Sequence, residues 1–178
     1  MNSGIIIIAP LESPLRERVL ELQQRFDPKL AALQPPHLTI TGSSGMGPIS
    51  TRTTTEELRA ALEPIARTTA PMSLALQPPL RFMQKNVVVL PLDPHGALRA
   101  LHDRIRASGL TCERSRFTFT PHVTLNFFPE PTPSLLREML AVRVDEPVIV
   151  RRIQCHETLA LTQTRQLLEL ELTGGDTE

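Results

Sequence analysis

The sequence predicts an α+β fold of two pseudo-symmetric βαββ-like lobes, with sheets lining a central groove and helices outside. Three observations predict it. A hexapeptide of the form Pro-His-apolar-Thr-apolar-polar occurs twice, as Pro36-His37-Leu38-Thr39-Ile40-Thr41 and Pro121-His122-Val123-Thr124-Leu125-Asn126. The order of elements around the copies also repeats: strand, helix, motif strand, loop or turn, helix, strand. Finally, 178 residues with 40% hydrophobic content suit one domain with a good core. The chain therefore reads as a single domain over 1–178, with half-lobes of about 1–85 and 86–178 and a frayed tail at 174–178.

The elements follow in order. Residues 4–9 are an apolar β-branched run and predict an interior strand. Ser13 is placed to cap a helix with Pro14 at its first position, and Leu15, Val19, Leu22 and Phe26 recur at helical spacing. Asp27-Pro28 ends or kinks that helix. The first motif strand spans 36–41, and the Gly/Ser-rich stretch 42–50 reads as an exposed, mobile loop. A helix starting near Thr54 or Thr55 has Glu56 and Glu57 in its first turn, where the helix dipole favours acids, and Pro64 should kink or shorten it.

Residues 72–77 read as a strand broken by Pro78-Pro79, and 86–92 as an interior strand. A helix begins after Asp93-Pro94, buries Leu98, Leu101 and Ile105, and stops at Gly109. The second motif strand spans 121–127, and a short helix follows over roughly 133–142. Residues 148–161 are one long strand or two with a bend. The last strand is 166–172.

Charge and composition narrow the function. Lys+Arg and Asp+Glu are both 19, which argues against wholesale binding of long nucleic acid but leaves room for a local basic groove. Two cysteines, Cys112 and Cys155, form no disulfide framework or zinc knuckle and read as ordinary thiols. Ile5-Ile6-Ile7-Ile8 lacks a basic flank and helical length, so neither a signal peptide nor a membrane span is expected, and the protein reads as cytoplasmic. Trp and Tyr are absent, so any base stacking must use Phe, His or Arg.

On a strand, alternate side chains share a face. His37, Thr39 and Thr41 would face one way, with Leu38 and Ile40 behind them. His122, Thr124 and Asn126 would do the same in the second copy, with Val123 and Leu125 behind. Side by side, the two strands would turn two imidazoles and two hydroxyls into one groove, the layout of an acid/base pair.

These paired motifs resemble the 2H phosphoesterases, in particular the branch of 2′-5′ RNA ligases and RNA 2′,3′-cyclic phosphodiesterases. The likeness rests on His37-Leu38-Thr39-Ile40 and His122-Val123-Thr124-Leu125, on the Pro before each copy, and on Arg116-Phe117 ahead of the second. It extends through nearly the whole chain by the strand and helix order. The resemblance implies a phosphodiesterase using His37, Thr39, His122 and Thr124, without metal or other cofactor. It opens 2′,3′-cyclic phosphates of RNA ends or of small cyclic nucleotide phosphates, and its reversal makes a 2′-5′ linkage. Which histidine is base and which acid is left open. No membrane and no obligate protein partner are implied. The alternative is a non-catalytic module that binds nucleotides or RNA ends.

Candidate substrate contacts are Arg81, Arg114 and Arg116 for phosphate or ribose, and Phe117 and Phe119 for a base, with core packing the competing reading for both rings. His95 and His102 lie seven apart on one helix and read as solvated residues, because a metal pair needs closer spacing and a third ligand. His156 reads as structural.

Overall fold

The computed structural model describes residues 4–82, 86–160 and 163–175. In chain order the elements are β1 (Ile5–Pro10), α1 (Leu15–Phe26), α2 (Pro28–Leu33), β2 (His37–Thr41), α3 (Thr55–Arg67), β3 (Met72–Leu74), β4 (Leu80–Phe82), β5 (Val87–Pro91), α4 (Gly96–Arg106), β6 (His122–Asn126), α5 (Pro133–Leu140), β7 (Val148–Val150), β8 (Arg152–Ala160) and β9 (Gln163–Glu171). Seven strands form one sheet in the order β4-β5-β6-β2-β1-β8-β9, and β3 and β7 form a separate pair. The neighbours are antiparallel throughout.

The α+β class and the pseudo-symmetry are both present, and the half-sheets merge at the motif strands. β2 and β6 are hydrogen-bonded neighbours, paired at Leu38 and Val123. The symmetry holds residue by residue. Pro10, Ala9 and Ile8 pair with His37, Leu38 and Thr39, as Pro91, Leu90 and Val89 pair with His122, Val123 and Thr124. The helices are exchanged across the axis: α1 packs against β6, and α4 against β2. The motif backs Leu38, Ile40, Val123 and Leu125 are buried in the core, where each large aliphatic contributes roughly 1.5–3 kcal/mol.

Several local expectations change. Ser13 does not cap α1: the N-cap is Pro14, without a side-chain cap, and the Ser13 hydroxyl donates to Glu17 Oε1 at 2.8 Å. Asp27-Pro28 does end α1, but Pro28 also starts α2, which Asp27 caps through Leu30 N. Pro64 does not shorten α3, which runs on to Arg67 behind a capping box at Thr54 and Glu57. β4 was not expected. The 148–161 segment divides into β7 and β8, which lie in different sheets; Leu161 is outside the described residues, as is part of the tail, Asp176 to Glu178.

The stretch 42–50 is not an exposed loop. Ile49 and Met46 are buried, and Ile5 and Ile49 exchange two backbone hydrogen bonds at 2.8 Å. Gly45 N donates to Phe117 O and Gly47 N to Glu113 O, tying the segment to the approach to β6. Gly45 has φ +71°, and an added Cβ would lie 2.6 Å from His102 Nε2. Glycine here serves close packing, where a Gly/Ser count reads as mobility.

Candidate active site

The motif prolines prepare the histidines. A residue before proline is driven to extended backbone, and proline fixes its own φ. In both motifs this sets the carbonyl two residues ahead of the histidine. His37 Nδ1 meets Pro35 O at 2.9 Å, and His122 Nδ1 meets Thr120 O at 2.7 Å. A carbonyl oxygen only accepts, so each neutral ring carries its proton on Nδ1 and keeps Nε2 as the free basic atom. Leu11 N and Leu92 N donate to Pro36 O and Pro121 O, extending the same symmetry.

Both motifs carry a β-bulge after the threonine. Adjacent Ile8 and Ile7 oppose Thr39 and Thr41, leaving Ile40 as the extra residue. Adjacent Val89 and Val88 oppose Thr124 and Asn126, leaving Leu125 extra. A bulge re-aims the side chains beyond it. Thr41 and Asn126, expected on the groove face, are fully buried. Asn126 Nδ2 holds the backbone at Asn86 O and Pro129 O, at 2.9 and 3.0 Å.

His37, Thr39, His122 and Thr124 line one cavity of about 420 Å³, within the usual size of ligand sites, about 300–1,000 Å³. Burial pushes the His37 imidazole below its ordinary value of 6.5, against the opposing effect of the Pro35 carbonyl. His122 is lowered for the same first reason, with the Thr120 carbonyl opposing, and by positive charge on His37. Burial thus favours the neutral form of each ring, and charge on His37 further disfavours protonation of His122.

The other walls were missed by the sequence reading. From α1, buried Gln23 donates through Nε2 to Thr124 O at 2.8 Å and lines the cavity. Leu30 and Leu33 of α2 form an apolar side. Phe127 and Phe128 provide aromatic surface, and the two rings meet edge to face at 5.1 Å. Buried Asp27 grips their backbone: Oδ2 accepts from Phe127 N at 2.8 Å and Phe128 N at 2.9 Å, while Oδ1 accepts from Leu30 N at 3.0 Å. Lys29 Nζ sits 4.3 Å from the Phe128 ring centroid. The available signal was two aromatics directly after the second motif in a chain with only six Phe.

The expected substrate contacts fare differently. Phe119 is buried and stacks on His102, with centroids 4.2 Å apart, so its ring belongs to the core. Phe117 is 52% exposed, and Arg114 and Arg116 are exposed beside it, all on the segment tied to 42–50 but outside the cavity lining. Arg81, on β4, turns to Asn86 Oδ1 and lines neither this cavity nor its neighbour. His95 is exposed, but His102 is buried, its Nδ1 3.0 Å from Asp103 Oδ1, and not solvated as expected. His156 lines a smaller cavity that His37 also lines. Cys112 and Cys155 are free, and burial pushes the Cys155 thiol up to about 12. Among the described residues no three His, Cys, Asp or Glu side chains cluster to hold a metal ion, and no helix is long and apolar enough to cross a membrane.

Known proteins share this chain's sequence pattern and fold. The family model of the 2′-5′ RNA ligase superfamily matches residues 11–160, a span containing both motifs. No curated protein matches the chain. A solved structure of a phosphoesterase is 22% identical, covering 97% of this chain and 99% of that one, with a TM-score of 0.62. E. coli LigT complexed with 3′-AMP is 21% identical, covering 96% and 98%, with a TM-score of 0.60. The same protein complexed with NADP+ gives 21%, 96%, 98% and 0.59. At these identities the likeness is one of fold.

Proposed function

Because the chain belongs to the 2′-5′ RNA ligase superfamily of 2H phosphoesterases, we propose that it is a metal-independent phosphodiesterase. It opens 2′,3′-cyclic phosphates, at RNA ends or on small nucleotides, to 2′-phosphates, and the same ring opening with a nucleotide 5′ hydroxyl in place of water forms a 2′-5′ bond. The observation that carries this reading is the matched pair of imidazoles in one cavity, each tethered at Nδ1. A binding module has no need of two equivalent acid/base groups. The LigT complexes with 3′-AMP and NADP+ add that the shared fold accepts nucleotides.

The chemistry follows from in-line displacement at phosphorus. The attacking oxygen enters opposite the leaving ribose oxygen, so a base is needed on one side and an acid on the other. One neutral Nε2 takes the proton of the attacking water. The other imidazole, protonated, delivers its proton to the departing O3′. Each such transfer is worth on the order of 100- to 10,000-fold. The Thr39 and Thr124 hydroxyls, two residues on from each histidine, donate to the non-bridging phosphate oxygens as charge builds. Phe127 or Phe128 offers its face to the base, and Arg116 with Phe117 stands on the rim segment where a longer RNA would pass.

The test is hydrolysis of 2′,3′-cyclic nucleotides by the wild-type protein, His37→Ala and His122→Ala, in excess EDTA. Wild type should turn over, and each variant should lose about 100-fold or more with an unchanged circular dichroism spectrum. Activity surviving both substitutions, or wild-type activity abolished by EDTA and restored only by a metal ion, would refute the assignment.

A further inference from the structure

The first cavity does not end at His37. A second, of about 270 Å³, shares Ile6, Gln34, Pro35 and His37 with the first. Its walls come from strands that play no part in the motif chemistry: Gln154 and His156 on β8, Thr164 and Gln166 on the edge strand β9. Ile6 and Ile8 of β1 supply apolar surface.

The chemistry of this lining is specific. None of its side chains is acidic, lysine or arginine, while three amides, a hydroxyl and two imidazoles supply both donors and acceptors. A second phosphate would find no cation here. A neutral, planar group rich in donors and acceptors would find partners along its edge and aliphatic surface for its face, which describes a nucleobase. The polar groups are also held in place. Gln154 Nε2 donates to Glu169 Oε2 at 2.5 Å, and Gln154 Oε1 lies 2.9 Å from His156 Nε2. An amide oxygen only accepts, so His156 carries its proton on Nε2. Burial and then the proximity of His37 lower His156, with Glu169 opposing, which keeps the wall uncharged.

We propose that this cavity is the subsite for a second nucleoside, the one whose 5′ hydroxyl attacks the cyclic phosphate in ligation and departs in cleavage of a 2′-5′ bond. The inference rests on the phosphodiesterase reading and adds to it a place for the alcohol partner. Of the two motif histidines, His37 lines both cavities and His122 only the first. His37 then serves the alcohol side and His122 the ribose O3′. In ligation the 5′ oxygen bonds to phosphorus, the P–O3′ bond breaks, the 5′ hydroxyl proton goes to His37, and His122 protonates O3′. Cleavage is the reverse, and no redox partner is needed.

The experiment supplies 2′,3′-cyclic AMP with increasing free adenosine or uridine and separates 2′-AMP from the 2′-5′ dinucleotide. Wild type should form dinucleotide saturably in nucleoside. Gln166→Trp, on an exposed edge position, fills the cavity and should lower the ratio of dinucleotide to 2′-AMP by about 10-fold. Gln154→Ala should lower it in the same direction, and urea midpoints check that both variants are folded. Wild-type hydrolysis without dinucleotide at any nucleoside concentration, or an unchanged ratio in both variants, overturns the subsite and leaves the phosphodiesterase standing. Absence of cyclic AMP hydrolysis, and of hydrolysis at cyclic-phosphate RNA ends, overturns both.

Discussion

Asp27 offers a sharp test of how the cavity is built. Its carboxylate is fully buried and spans two parts of the chain, capping α2 at Leu30 N and holding Phe127 N and Phe128 N at the end of β6. Asp27→Ala removes three charge-assisted hydrogen bonds, each worth about 1.5–3 kcal/mol, and strands donors that cost about 1–3 kcal/mol when left buried. The three share one carboxylate and are not additive, so the expected loss is about 3–5 kcal/mol. In a domain of this size that lowers Tm by about 6–20 °C, taking about 2–4 °C per kcal/mol. Asp27→Asn keeps the shape but must turn its amide nitrogen toward at least one N–H, for a loss of about 1–3 kcal/mol. Urea denaturation measures both. Below the midpoint, both variants should raise KM for a cyclic nucleotide more than they lower kcat, because the aromatic wall loosens while the histidine tethers remain. An Asp27→Ala protein within about 0.5 kcal/mol of wild type, the usual range of a surface change, would show that the clamp is not what holds this wall.

The histidines give two pH predictions. His37, His122 and His156 are all lowered when folded, so the unfolded chain binds more protons as pH falls below about 6.5, and stability falls with it. The urea midpoint should drop between pH 7 and 5, and a His37→Asn/His122→Asn protein should show a flatter slope; equal slopes would contradict the burial argument. The proposed mechanism needs one proton on the pair, which predicts a bell-shaped kcat/KM profile with its optimum on the acid side of 6.5, and an optimum near pH 8 would count against it. Gly45→Ala should cost about 2–4 kcal/mol in urea denaturation, from positive φ and the close approach to His102 and Phe119; a neutral result would mean that 42–50 is as free as its composition suggests.

What the sequence determined by itself is what short-range geometry dictates. Strand alternation places His37 with Thr39 and His122 with Thr124, and those four do line one cavity. The helix start near Thr54 or Thr55 and the Gly109 stop after α4 are set within a few residues, and they too were legible. The resemblance of the twin motifs pointed to the family that the chain joins. Tertiary structure decided whatever depends on partners far along the chain. The bulges at Ile40 and Leu125 arise from pairing with β1 and β5, and they withdraw Thr41 and Asn126 from the groove. Phe119 went to the core and Phe127 and Phe128 to the cavity because of where His102 and Asp27 lie in space, which local propensity does not encode. His156 meets the second cavity because β8 adds to the far edge of β1. Period-two alternation sets which way a side chain points; the order of strands in the sheet sets what it points at.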